Sequence, residues 1–235
     1  NSKDDVYSRP MPSIEAFRFD QSVADVFQDM IERSVPGYGA VLQLIGVIAE
    51  KYGQQDTRAY DLGCSLGAST LQLRRHLPDG CHVIGVDNSE AMVSRCIANL
   101  SRDHSAATYE ILLEDLRETN IQNASIVILN FTLQFVPDEQ RENILAHIFE
   151  GLNNGGILLL AEKVKFEDCS EQALMTTLHH DFKKQHGYSD LEISQKRAAL
   201  ETVLIPNTEE QHRQRMRDAG FSVVEQCMRC LNFST

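Results

Sequence analysis

The sequence lacks the features that mark membrane-spanning, secreted and disulfide-stabilised proteins. Its longest aliphatic run covers residues 157–161, far fewer than the ~20 residues that a membrane-spanning helix requires. The first residues are polar and acidic, without the apolar stretch that a signal peptide carries. The six cysteines form no disulfide-like framework, which suits a reducing compartment. We therefore expect a cytoplasmic protein.

Basic residues are scarce as well. The chain has 22 Lys and Arg against 34 Asp and Glu, which gives a net charge of −12. A surface of this sign repels phosphate backbones, so we expect no direct binding to nucleic acid or to a membrane. A local cationic pocket can still oppose the overall sign and bind a small anion. With 235 residues, 42% of them hydrophobic, the chain can bury a large core as one α/β domain.

Strands and helices alternate after residue 56. This alternation predicts an α/β fold with a doubly wound, mostly parallel, seven-stranded sheet and helices on both faces. The last two strands are separated by a short connection, which indicates a terminal antiparallel hairpin. We expect strands at residues 59–62, 81–86, 108–113, 125–130, 156–161, 221–225 and 229–233, and helices at residues 69–76, 90–100 and 139–152.

Further helices are expected outside this alternating region. Asp20 is a plausible N-cap for one helix, and a second helix ends near Gly53. Residues 168–200 show two more helical segments, and the second begins with the capping-box pattern Ser189-x-x-Glu192. These patterns predict helical additions before the first strand and ahead of the terminal hairpin.

The strongest local signal is the segment YDLGCSLG at residues 60–67, between the first strand and its helix. Gly63 and Gly67 would let the backbone turn tightly and approach a ligand, and the helix N-terminus offers free N–H groups to a carboxylate. The spacing is not the dinucleotide pattern G-x-G-x-x-G, because Ser65 stands in place of the second glycine. Any turn between a strand and a helix can carry two glycines, so this segment alone leaves ligand binding open.

Polar residues end the next three strands, where ligands of doubly wound sheets bind. Asp87 follows about twenty residues after the glycine turn, where a carboxylate accepts hydrogen bonds from both ribose hydroxyls; an N-cap is the alternative role. Asp115 is placed to accept the amine of adenine while the N–H of Leu116 donates to the ring, or it is a turn acid. Asn130 ends the fourth strand, with a satisfied turn amide as the alternative.

Together with the turn at residues 151–158, these four sites resemble the class I S-adenosylmethionine-dependent methyltransferase superfamily over residues 38–235. The resemblance implies one S-adenosylmethionine-binding domain over residues 1–235. Residues 1–56 would form an N-terminal arm and helical cap, and residues 168–200 a helical insertion. It also implies that Gly63, Cys64 and Ser65 contact the methionyl part, Asp87 and Asn88 the ribose, and Asp115 and Leu116 the adenine, with Asn130 nearby.

Four stretches are similar to the family of bacterial carboxy-S-adenosyl-L-methionine synthases, namely residues 60–66, 127–135, 179–183 and 193–197. This resemblance implies a homodimeric transferase that converts S-adenosylmethionine and prephenate to carboxy-S-adenosylmethionine and phenylpyruvate. A separate downstream transferase then uses the product to form 5-oxyacetyluridine at the wobble position of tRNA. The net charge of −12 agrees with an enzyme that does not hold the tRNA itself.

The carboxylated product needs a group that an ordinary methyl-donor pocket lacks. A guanidinium meets a carboxylate with two parallel hydrogen bonds, and the resemblance assigns this role to Arg197, with Tyr38 closing the other side of the ligand. Without the resemblance, Arg197 is a solvated charge on a helix face. No general base stands out. The alternative functions are a methyltransferase acting on a small carboxylic acid and a non-catalytic cofactor-binding subunit.

Two adjacent histidines, His179 and His180, raise the question of a metal site. Neighbouring side chains on a helix point about 100° apart, so the pair cannot chelate one ion together. We expect a structural or surface role for these histidines and no bound metal.

Overall fold

The computed structural model describes residues 2–235. The strands in chain order are β1 (Arg58–Leu62), β2 (His82–Asp87), β3 (Thr108–Leu113), β4 (Ala124–Asn130), β5 (Leu152–Lys163), β6 (Arg229–Cys230) and β7 (Phe233–Ser234). The α-helices are α1 (Gln21–Ser34), α2 (Tyr38–Tyr52), α3 (Ala68–His76), α4 (Glu90–Leu100), α5 (Arg141–Gly151), α6 (Cys169–Gln185), α7 (Asp190–Leu200) and α8 (Glu209–Ala219).

The seven strands form one sheet in the order β3-β2-β1-β4-β5-β7-β6. The first five strands run parallel, and β7 pairs with β5 and β6 in the antiparallel direction. The predicted doubly wound sheet with a terminal antiparallel hairpin is confirmed. Strand order reverses between β1 and β4, and in open α/β sheets this switch point is where a ligand crevice forms.

Strand β4 shows why the sheet is covered on both faces. Its side chains alternate, so that Ile126 and Ile128 pack under α2 and α3, whereas Val127 and Leu129 pack against α5. All four are fully buried, and each such side chain contributes roughly 1.5–3 kcal/mol of transfer free energy. The two apolar layers hold the carboxyl ends of the central strands in fixed positions.

The predicted helix ends are confirmed at both additions. Asp20 caps α1 by accepting a hydrogen bond from the N–H of Val23 at 3.1 Å. Ser189 and Glu192 form a reciprocal capping box at the start of α7. The N-terminal arm is ordered along α7, since the N–H of Phe17 donates to the carbonyl oxygen of Ala199 at 2.9 Å.

The strand predicted at residues 221–225 is wrong. This segment is irregular, and the hairpin is formed by β6 and β7 alone. β7 pairs with β5 only at Glu162 and Lys163, and residues 221–225 join no strand of the sheet. Arg213 donates to the carbonyl oxygen of Val224 at 2.7 Å instead, and Val223 is 74% exposed. Within residues 2–235, no helix combines the length and the apolar character needed to cross a membrane.

Candidate active site

A cavity of about 690 Å³ opens at the carboxyl ends of β1, β2 and β4. It lies at the switch point of the sheet, and parts of the N-terminal arm, α1, α6 and α7 also border it. Nine of the ten residues predicted for ligand binding line it: Tyr38, Gly63, Cys64, Ser65, Asp87, Asn88, Asp115, Leu116 and Asn130.

The glycine turn after β1 is closely packed. Gly63 has a φ of +82°, and a Cβ at this position would lie 2.4 Å from the side chain of Thr132 after β4. Ser65 and Phe131 also have positive φ values, of 49° and 59°. Backbone strain of this kind persists where the surroundings fix it, and it concentrates at functional sites. Both strained residues line the cavity.

Asp87 links two backbone segments at the end of β2. Its Oδ2 accepts the N–H of Ser65 and its Oδ1 accepts the N–H of Ser89, both at 2.9 Å. Burial raises the pKa of the carboxyl, and these hydrogen bonds oppose the rise. The N-cap of α4 is Ser89 and not Asp87. Each oxygen of Asp87 keeps a lone pair that can accept a hydroxyl from the cavity.

Two buried polar atoms near the glycine turn have no hydrogen-bond partner within residues 2–235. They are Oδ1 of Asp61 and Oδ1 of Asn130. The other oxygen of Asp61 accepts the hydroxyl of Thr70 at 2.6 Å, and burial raises the pKa of this carboxyl to about 7. Unsatisfied buried acceptors are costly. Asn130 lines the cavity, so its free oxygen suits a ligand that brings a donor such as an ammonium group. Asp61 was not predicted, although it opens the glycine segment.

Asp115 is held by a neighbouring cation at the β3 end of the cavity. Arg117 donates to Asp115 from its backbone N–H at 3.0 Å and from Nε at 2.8 Å. The hydrogen bonds from Arg117 lower the pKa of the Asp115 carboxyl, so it is ionised at neutral pH. The N–H of Leu116 has no acceptor within the described residues. A carboxylate and a free N–H next to each other match the donor–acceptor edge of a nucleobase.

Aromatic rings from three separate segments form one wall of the cavity. The ring of Phe19 lies 6.0 Å from that of Phe27 on α1 and 5.1 Å from that of Phe135, both edge-to-face. Phe17 adds a third ring contact to Phe19 at 5.1 Å. Such pairs add roughly 0.5–1.5 kcal/mol each beyond area burial. Sequence reasoning missed this wall, because the rings meet only after the arm folds over α1.

Three lysines also line the cavity, where the sequence analysis expected none. Lys163 at the end of β5, Lys183 on α6 and Lys196 on α7 all line the cavity. Lys196 is paired with Asp4 at 3.6 Å and donates to Ser34 Oγ at 3.0 Å. Burial lowers the pKa of Lys183 to about 7 and that of Lys196 to about 8. A chain of net charge −12 thus carries a cationic patch inside its main cavity.

Arg197 is the one predicted site residue that does not line the cavity. It is exposed on α7 directly after Lys196. Its charge nevertheless lowers the pKa values of Lys163 and Lys183, so the guanidinium lies near their end of the cavity. The predicted role of Arg197 stays a prediction.

His179 has a structural contact. Its ring Nε2 donates to the carbonyl oxygen of Ser34 at 2.8 Å, and burial lowers its pKa well below the ordinary value. The neutral ring also packs edge-to-face on Phe233 at 5.0 Å. Among residues 2–235, no group of three or more His, Cys, Asp or Glu side chains is placed to hold a metal ion.

The comparisons with known proteins first define the class. Residues 59–156 match the family described as a methyltransferase domain. Human N-acetylserotonin methyltransferase in complex with S-adenosylmethionine is 17% identical, with a TM-score of 0.62 over 91% of this chain and 53% of that one. The cyclopropane synthase MmaA2 of Mycobacterium tuberculosis is 14% identical, with a TM-score of 0.62 over 95% and 73%. The fold is that of the class I S-adenosylmethionine-dependent methyltransferases.

Curated relatives then define the family within this class. Carboxy-S-adenosyl-L-methionine synthase of Shewanella putrefaciens is 50% identical over all of this chain and 97% of its own length. The proteins of the same name from Shewanella sp. strain MR-7 and Shewanella baltica are 49% identical over the same shares. The chain belongs to the carboxy-S-adenosyl-L-methionine synthase family.

Proposed function

We propose that the protein converts S-adenosylmethionine and prephenate to carboxy-S-adenosylmethionine and phenylpyruvate. The observation that carries this proposal is the composition of one cavity. The carboxylates of Asp87 and Asp115 suit a nucleoside at one end, and three lysines form the other end. The sulfonium of a methyl donor is itself cationic, so buried lysines beside it need an anionic second substrate. Prephenate, a dicarboxylate, supplies that charge.

The proposed reaction balances without an external base. Prephenate loses carbon dioxide and its ring hydroxide as the ring becomes aromatic. The hydroxide takes a proton from the sulfonium methyl group and leaves as water, and the resulting ylide forms a carbon–carbon bond to the carbon dioxide. The protein holds the two substrates together and excludes water, and the aromatic wall around Phe19 supports the second task. The ten predicted residues bind S-adenosylmethionine, with Arg197 on the new carboxylate and Tyr38 opposite.

The helical additions complete this proposal. Residues 1–56 and 168–200 cap a single domain of residues 1–235, and their side chains supply part of the cavity lining. A homodimer in the cytoplasm passes the product to a separate tRNA-modifying transferase and does not bind the tRNA itself.

Mixing the purified protein with S-adenosylmethionine and prephenate tests the proposal. We expect phenylpyruvate and a carboxylated nucleoside in equal amounts. Formation of S-adenosylhomocysteine with a small carboxylic acid as acceptor would instead support a methyltransferase. Release of neither product would support a cofactor-binding subunit.

A further inference from the structure

Lys163 and Lys183 differ from the other cations of the cavity because they lack counterions. The ammonium groups of both have no hydrogen-bond or ion-pair partner within residues 2–235. Lys183 is nevertheless only 8% exposed, and both lysines line the cavity. By contrast, Lys196 is paired with Asp4, and Lys184 is exposed and paired with Asp190 at 2.6 Å.

An ammonium group that faces a cavity without a counterion is costly, and the cost is higher when several such groups lie together. Lys163, Lys196 and Arg197 all lower the pKa of Lys183, after the larger effect of burial. No acidic group offsets them at Lys183. An anion bound in the cavity would neutralise these charges, so the cluster suits a carboxylate or a similar group.

The second substrate of the proposed reaction carries two carboxylates with opposite fates. One leaves as neutral carbon dioxide, and the other is retained in the 2-oxo acid product. An ammonium on the departing carboxylate would stabilise the ground state more than the transition state, in which that charge is lost, and would therefore slow the reaction. An ammonium on the retained carboxylate binds ground state and transition state equally, and so it positions the substrate without this penalty.

We infer that Lys183, together with Lys163, binds the retained 2-oxo acid carboxylate of the second substrate and leaves the departing carboxylate without a cation. The inference rests on the proposed function, since it concerns the second substrate of that reaction. It makes the two lysines substrate-binding residues, and the same carboxylate contact would hold both the substrate and the product.

Equilibrium binding of prephenate and of phenylpyruvate to the protein loaded with S-adenosylhomocysteine tests this inference without turnover. We expect Lys183→Met to weaken both ligands by about 10- to 100-fold, the value of a charge-assisted hydrogen bond. Affinity for S-adenosylhomocysteine should stay within about twofold of the wild type. Lys163→Met should behave alike, and Lys183→Arg should restore part of the binding. Lys184→Met, an exposed lysine next in sequence, is the matched control and should bind both ligands normally.

Two outcomes would overturn the inference. Weaker binding of prephenate with unchanged binding of phenylpyruvate would place the lysines on the departing carboxylate. Unchanged binding of both ligands would remove the lysines from the subsite. Each result is separate from the proposed function, which fails if the wild-type protein forms no phenylpyruvate or no carboxylated nucleoside from prephenate and S-adenosylmethionine.

Discussion

Asp87 accepts a hydrogen bond from the backbone N–H of Ser65 across a distance of 2.9 Å. The end of β2 thereby holds the turn after β1, in which Ser65 has a left-handed φ of 49°. A non-glycine residue in this region costs roughly 1–3 kcal/mol, and it persists only where the surrounding structure holds it in place. The carboxylate proposed to bind the ribose therefore also shapes the turn proposed to bind the methionyl part.

Replacing this carboxylate should affect binding more than folding. In Asp87→Ala the N–H groups of Ser65 and Ser89 lose their hydrogen-bond acceptor. The ribose hydroxyls of a bound nucleoside would lose the same acceptor. We expect affinity for S-adenosylmethionine to fall by about 100-fold, as for the loss of two charge-assisted hydrogen bonds. Titration calorimetry measures this change. Asp79→Ala, at an exposed acid, is the control, and equal affinity of the two variants would refute the role of Asp87.

The glycine turn should not tolerate a side chain. Gly63→Ala places a methyl group 2.4 Å from Thr132 at a φ of +82°. We expect a loss of about 1–3 kcal/mol in the free energy of unfolding and no detectable binding of S-adenosylmethionine. Gly39→Ala in α2 meets nothing within 4 Å and should stabilise by about 0.5–1 kcal/mol. Chemical denaturation compares the two; a Gly63→Ala variant as stable as the Gly39→Ala variant would contradict the packing described.

Arg197 should affect the binding of carboxy-S-adenosylmethionine but not that of S-adenosylmethionine. We expect Arg197→Leu to bind S-adenosylmethionine normally and to lose the preference for the carboxylated form, because only that form carries the extra carboxylate. Competition binding with both nucleosides measures the preference. Arg217→Leu, at an exposed arginine of α8, is the control. Equal loss of affinity for both nucleosides would count against the assigned role.

The lysine cluster should lower stability in a pH-dependent manner. Burial lowers the pKa of Lys183 from 10.5 to about 7, so the unfolded chain binds its proton more tightly than the folded chain does. The cost of the buried charge is therefore greatest below pH 7 and disappears as the pH rises to about 10.5. Lys183→Met should raise the melting temperature most at pH 7 and below.

Other charged groups near Lys183 must be taken into account when the melting temperatures are interpreted. Four groups face Lys183, namely Lys163 on β5, Lys196 and Arg197 on α7, and His179 on the same helix as Lys183. Glu32 on α1 borders the same cavity. Melting curves between pH 6 and about 10 compare the variant with Lys184→Met, whose exposed lysine is ion-paired with Asp190. A stabilisation that grows with pH would reverse the predicted sign.

Local sequence patterns predicted most of the fold. The helix at residues 90–100 and the strand at residues 108–113 were placed with the bounds that the structure has. The alternation of apolar runs with capped helices depends on residues that are close in sequence, so it can be recognised without knowing the fold. Residues 221–225 have the composition of a strand but pair with no other strand, because pairing depends on contacts between distant segments that local composition does not encode.

The site residues that lie at or just after strand ends could be predicted from the sequence. Asp87 and Asn130 each end a strand and Asp115 follows one by two residues, and the fold brings strand ends together. Lys183 could not be found in this way, because a lysine in a polar helix looks like a surface residue until α6 packs over the cavity. The only local signal is that His179 and Lys183 lie four residues apart on one face of α6.

The mass of the nucleoside released when the purified protein is denatured tests the central claim most directly. The account predicts a compound heavier than S-adenosylmethionine by one carbon dioxide, because the cavity joins a nucleoside site to a cationic patch that needs carboxylates. Adding prephenate and S-adenosylmethionine before denaturation should increase its amount. Plain S-adenosylmethionine or S-adenosylhomocysteine after that incubation would contradict the synthase assignment and leave Arg197 without a role.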